Sequence, residues 1–193
     1  LASNAKPDAV SPLRYTDGTY WLDLGGGCLD TELFENHVSA SRELETDNLE
    51  MALFHCESAL QLYRDDFLSD EPYEEWTLPR RTEYLELFFQ VSLRAAELLI
   101  KHRKDYAGAA EICRKALKKD PFREEFYQVG IQALILAERF VEAINAYKKY
   151  SQLLMEEFQL EPSPAIQALI GNIRDERYEA NQTQKIDFGA KQG

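Results

Sequence analysis

Cysteine is scarce in this chain. Cys28, Cys56 and Cys113 are odd in number, far apart, and form no Cys-x-x-Cys. A disulfide framework is excluded, and a reducing cytoplasm is the simple expectation. Histidine is as scarce. Apart from His55 beside Cys56, none of His37, His55 and His102 has a close His or Cys neighbour. Adjacent residues point to different helix faces, so no metal site is expected. Long apolar runs are also missing. Mean hydropathy is −0.45, and no stretch approaches the ~20 residues that span a bilayer. No apolar signal region opens the chain, so neither a secreted nor a membrane protein is expected. Positive charge is short as well: 22 Lys and Arg stand against 34 Asp and Glu, a net charge of −12. Such a surplus repels phosphates and excludes the whole chain as a non-specific nucleic-acid binder.

What is present is enough apolar side chain for a core. Of 193 residues, 45% are hydrophobic and 11% aromatic, which excludes wholesale disorder. The length suits one domain, or one plus a fragment. The first residue is Leu1, not Met, and the chain is expected to be a piece of something longer. Charge is segregated. Residues 23–76 hold fifteen acids and two bases, whereas residues 77–123 hold eleven bases and six acids. The acidic half is expected to pack beside the basic middle.

Residues 1–12 are small and polar with two prolines and read as a linker. In residues 13–24 Leu13, Tyr15, Tyr20, Leu22 and Leu24 alternate around Asp17-Gly18, a hairpin signal. Gly25-Gly26-Gly27 lacks the following Lys-Ser/Thr of a phosphate loop and reads as a domain joint. From there the apolar period is 3.6, and the body is expected to be all-α. Asp30 and Asp47 are candidate N-caps for the first two helices. A long helix is expected over Tyr73–His102, with Trp76 and Phe89 inside and Pro79 in its first turns. Further helices are expected over Tyr106–Lys119, from Pro121 to about Ala137, over Phe140–Phe158, and from Pro164 to about Tyr178. The tail, 179–193, reads as disordered.

Self-similarity is the strongest signal. Tyr106, Ala109, Cys113 and Ala116 recur as Phe140, Ala143, Tyr147 and Tyr150, an offset of 34 residues. That is the tetratricopeptide (TPR) period. Small residues at these positions let paired helices approach, and Asp120-Pro121 ends a repeat. Leu49, Ala52, Cys56 and Ala59 form a third copy 57 residues before Tyr106, so the array is irregular. The repeat-packing positions are therefore Ala52, Ala59, Tyr106, Ala109, Ala116, Pro121, Phe140, Ala143 and Tyr147. A generic helical bundle is the alternative reading. With Leu93 and Tyr127 at the fourth repeat position, a partner groove would be lined by Arg94, Leu98, Lys101, Gln128, Gln132 and Ile135. The mix would suit a peptide or helix of acidic character, or another part of the same polypeptide. The basic run Lys101, Arg103, Lys104, Arg114, Lys115, Lys118 and Lys119 reads as a solvated face that pairs with the acidic half, with a phosphate or acidic-partner contact as the alternative. Asp65, Asp66, Asp70, Glu71, Glu74 and Glu75 lack the ligand spacing of a calcium loop. No catalytic grouping and no cofactor are read from these patterns, so an enzyme is not expected.

One family shares this order of motifs. TyrTrpLeu (20–22) is followed by Leu29-Asp30 with Phe34-Glu35, by Asp66-Phe67-Leu68, and by Glu75-Trp76 with Arg80-Arg81. Asp120-Pro121, Arg139-Phe140 and the closing Phe158 to Pro164 complete the series. The chain over about 13–174 resembles the bacterial transcriptional activator domain of antibiotic regulatory (SARP-type) activators. That family usually has a small residue where Gln159 stands. The resemblance implies a TPR-like array of about seven helices (28–178) after a winged-helix DNA-binding domain. Residues 13–27 would be the hairpin remnant of that domain and the joint to it. It further implies a protein-interaction and dimer-forming role, with self, adjacent domains or RNA polymerase as partners. DNA would be contacted only through the upstream domain. A stand-alone TPR adaptor is the alternative function.

Overall fold

The computed structural model describes residues 13–44, 48–70 and 74–171. The expected linker and tail lie outside them, as do Asp47, Tyr73 and residues 172–178. Strands β1 (Leu13–Thr16) and β2 (Thr19–Leu22) pair antiparallel, with Leu13 opposite Leu22 and Tyr15 opposite Tyr20. Asp17 and Gly18 have φ of 51° and 83°, the left-handed pair of a tight two-residue turn. Tyr15, Tyr20 and Trp21 are 62%, 68% and 49% exposed. The hairpin thus leaves its aromatic side chains uncovered, and two strands alone are marginally stable in water.

Seven α-helices follow among the described residues. Helix α1 spans Asp30–Glu43. Its N-cap position is Leu29, not Asp30. Glu32 accepts from the Leu29 amide at 3.4 Å, and Asp30 sits in the first turn, where the helix dipole favours an acid. Helix α2 (Leu49–Leu62) is capped by Asn48, whose Oδ1 accepts from the Met51 amide at 3.1 Å. The expected long helix begins as a 3-10 turn, Glu75–Thr77, and continues as α3 (Leu78–Leu98) with Pro79 in its first turn. It ends in a π-helical turn, Leu99–Arg103, and Lys104 then takes φ +57°. The Trp76 side chain is not inside the core: it is 66% exposed, because the 3-10 turn carries it outward and buries Thr77 instead.

Helix α4 (Tyr106–Lys119) is capped by Asp105, which accepts from the Gly108 amide at 2.8 Å. Helix α5 spans Glu124–Leu136. Pro121 lies in the exposed turn before it, not in the helix, because Asp120 turns back to accept from the Phe122 amide at 3.0 Å. Helix α6 spans Phe140–Phe158, and α7 covers 164–171.

Consecutive helices pack on each other from α1 to α6. In α2, α4 and α6 the repeated small positions lie at the contacts: Ala52, Ala59, Ala109, Ala116 and Ala143 are all fully buried. Tyr106, Phe140 and Tyr147 pack half-buried against the same cores. Small side chains let helix axes close to about 8 Å rather than 10 Å. Gly130 in α5 is another such place: a Cβ there would lie 3.2 Å from the Cys113 Cβ of α4. One core runs from α1 to α5 around Phe34, Leu53, Phe89 and Phe126. A second joins α5, α6 and α7 through Tyr127, Ile131, Tyr150, Ile166 and Ile170. The Tyr127 and Tyr150 rings stack at 4.1 Å, and the Tyr150 hydroxyl donates to Glu124 at 2.8 Å.

The segregated charges meet as the sequence implies. Arg103 reaches Glu50 at 2.5 Å and Glu57 at 2.8 Å, while His102 bonds Glu50 at 3.1 Å. The Arg103 guanidinium holds the Glu50 carboxyl below its usual range. Lys119 pairs with Asp66 at 2.8 Å, and Asp66 also accepts from the Tyr63 hydroxyl at 2.9 Å. The π-helical turn and the acidic loop thus fasten α2 to both ends of the basic middle.

Candidate functional site

The array has two unlike faces. The first helices of the pairs, α1, α3 and α5, touch: α3 packs on both its neighbours. Tyr84 donates to Glu35 at 2.7 Å across α1 and α3, Arg42 donates to Gln90, and Arg123 pairs with Glu86. The second helices, α2, α4 and α6, stand farther apart. The array therefore curves toward the first helices, which form its inner face.

A cleft of about 230 Å³ lies on this inner face between α3 and α5. Leu93, Glu97, Ile100 and Lys101 line one wall, and Glu125, Gln128, Val129 and Gln132 the other. Lys101 pairs with Glu97 at 3.3 Å. Gln128 and Gln132 are exposed and leave their amides open to a ligand. Three of the six expected groove residues, Lys101, Gln128 and Gln132, are thus brought together. The other three are not. Leu98 is 7% exposed and belongs to the first core. Arg94 is half-buried beside the Cys56 thiol of α2. Ile135 packs against the second core. Each helical residue advances about 100°, which carries Arg94 and Leu98 one step round from the cleft-facing Leu93 and Glu97. Leu93 and Glu97 take their places in the cleft.

Such a cleft can bind, since it offers one cation, two carboxamides, two carboxylates and an apolar strip. Among the described residues no group of three or more His, Cys, Asp or Glu is placed to hold a metal. His37 and His55 meet across α1 and α2 with their Nδ1 atoms 2.8 Å apart, so one nitrogen donates and the other accepts. Burial and the neighbouring His55 push the His37 imidazole below its usual pKa. The Cys113 thiol, shut between α4 and α5, is pushed up to about 12 by burial.

The outer face carries two features that the repeat pattern did not announce. Between α2 and α4, over α3, lies a cleft of about 330 Å³. Between α4 and α6, over α5, lies a trough of about 520 Å³. Helix α4 separates them and presents Arg114, Lys115, Lys118 and Lys119. The pairing of bases four apart, Arg114 with Lys118 and Lys115 with Lys119, was the available signal.

Consecutive hairpins, buried small residues in α2, α4 and α6, and an inner face made of first helices define a TPR-like helical array. A family model described as the bacterial transcriptional activator domain (BTAD) matches residues 29–174. The chain belongs to that family. A comparison with curated proteins gave no match. Among solved structures it is similar to Mycobacterium tuberculosis EmbR in complex with a low-affinity phosphopeptide. That likeness has 20% identity and a TM-score of 0.64, covering 86% of this chain and 44% of that one. It is similar to the Hsp90 co-chaperone Cns1 from Saccharomyces cerevisiae as well. There identity is 17% and the TM-score 0.64, over 86% of this chain and 46% of that one. At these identities the likeness shows the fold alone. The chain spans less than half the length of either protein.

Proposed function

We propose that this chain is the protein-interaction and dimer-forming module of a bacterial transcriptional activator, not an enzyme. It acts in the cytoplasm through contacts with a second copy, with adjacent domains or with RNA polymerase. DNA is bound by an upstream winged-helix domain, for which residues 13–27 are the joint. The observation that carries this reading is the inner-face cleft within a fold matched to the family over residues 29–174. Its support is chemical: exposed amides, a cation and an apolar strip. The uncovered aromatic hairpin supports a neighbouring domain on that side.

Two titrations of the 193-residue chain test the proposal. Sedimentation across a wide concentration range should show self-association, and a monomer throughout would count against it. Labelled duplex DNA at physiological salt should show no measurable binding, and sub-micromolar binding would overturn the division of labour. A second reading, a stand-alone TPR adaptor for peptides, is favoured by the similarity to the co-chaperone Cns1. A winged-helix sequence encoded upstream of Leu1 decides for the activator, and further TPRs decide for the adaptor.

A further inference from the structure

We propose that the trough between α4 and α6 is a second docking site, and that it takes an acidic amphipathic helix of a partner protein. This surface lies on the outer face, away from the inner cleft, and the proposal does not depend on that cleft being used.

The floor is apolar and deliberately low. Leu134 of α5, Ala110 and Leu117 of α4 and Ala146 of α6 give it its accessible apolar surface, above the buried Gly130 and Ile131. The equivalent space between α2 and α4 shows what larger residues do. There Leu60, Phe88 and Ile112 rise into the gap and leave about 330 Å³, against about 520 Å³ over α5. The trough wall on α4 runs from Ala107 to Lys118. At 1.5 Å per residue this is roughly 16 Å, or three turns of an added helix.

The rim selects the sign of the partner. Arg114, Lys118, Arg139 and Lys149 surround the floor, with Glu111 and Glu142 as the acids. Both acids are already engaged: Arg114 holds Glu111 at 2.6 and 2.7 Å, and Arg139 holds Glu142 at 2.6 and 2.7 Å. Lys118 and Lys149 have no carboxylate within 4 Å among the described residues. On a chain of net charge −12, this is a local cationic frame around an apolar floor. An apolar stripe flanked by acids matches it. A basic segment would be repelled.

The probe is a fluorescein-labelled synthetic peptide of about four turns, Leu at helical spacing and Glu on both flanks, followed by anisotropy with the 193-residue chain. Saturable binding is expected. The double reversal Lys118→Glu with Lys149→Glu should weaken it at least tenfold, and the same variant should gain affinity for a peptide with Lys in place of Glu. Ala110→Met, which raises the trough wall, should weaken it without a charge change. Should that variant fail to fold, the reversal pair, both on exposed residues, carries the test. Lys101→Glu with Gln128→Ala on the inner face should leave binding unchanged, so failure of the inner-cleft reading is separable from failure of this one. The proposal is overturned by any of four results. The reversal leaves affinity within twofold; a peptide of the same composition without amphipathic order binds equally; duplex DNA competes for the same lysines; or the reversal abolishes self-association, which would make a second copy the occupant.

Discussion

Replacing Gln159 by glycine should make the protein more stable, although glycine usually weakens helices. Gln159 is the residue after α6, with φ +58° and ψ 35°, and its amide and that of Leu160 close on Met155 and Leu154. An L-residue in this left-handed region carries a steric cost of roughly 1–2 kcal/mol, which glycine lacks. Glycine loses more backbone freedom on folding, offsetting about 0.5–1 kcal/mol. The Gln159 side chain is exposed and makes no hydrogen bond among the described residues, so nothing else is lost. The net gain is about 0.5–1 kcal/mol, or roughly 1–4 °C in Tm for a chain of this size. Thermal unfolding followed by circular dichroism reads it. Lys148→Gly, at an exposed position inside the same helix, is the control and should lower stability by about 0.5–1 kcal/mol. Gln159→Ala should give no gain, since alanine keeps its Cβ. A lower Tm for Gln159→Gly, or the same sign at both positions, would refute the reasoning.

Gly130→Leu should destabilise by about 1–3 kcal/mol or more, because a Cβ alone already meets Cys113 at 3.2 Å; urea unfolding reads this. An unchanged midpoint would mean α4 and α5 do not pack as described. The His37–His55 contact gives a pH dependence of known sign. The folded His37 binds its proton less readily than the unfolded one. Stability is therefore lost as pH falls below the ordinary histidine value of about 6.5. Comparing unfolding of the wild type and His37→Gln across that range should show a shallower slope for the variant. Ellman titration of the native chain should find one fast thiol, exposed Cys28, with buried Cys56 and Cys113 reacting only after denaturation. Fast reaction of three would contradict the burial of α2 and α4.

Gln159 also shows how much of the molecule was legible in its sequence. A small residue is usual there because the backbone turns left-handed, a reason visible only once φ is known. The 34-residue offset and the buried alanines of α2, α4 and α6 could be read directly, since close helix contacts demand small residues at fixed spacing. The face of α3 was harder. It is pressed by α1, α2, α4 and α5, so periodicity marks what is buried without saying against which neighbour. That is why the repeat register points to Leu98 and Arg94, whereas the cleft wall is made by Leu93 and Glu97. The 3-10 start that exposes Trp76 and the π-helical turn that delivers Arg103 to Glu50 and Glu57 depend on tertiary contacts that no local pattern encodes. The outer trough depends on the spacing between α4 and α6, which sequence does not state.

We propose that this module works by contacting protein while another domain holds DNA. The most direct measurement uses a longer chain in which the proposed upstream DNA-binding domain precedes this module. Lys101→Glu, Gln128→Glu and Gln132→Glu are combined, and promoter affinity and reporter transcription are measured side by side. Promoter affinity should stay within twofold while activation falls at least tenfold. Unchanged activation, or a matching loss of DNA affinity, would contradict the account.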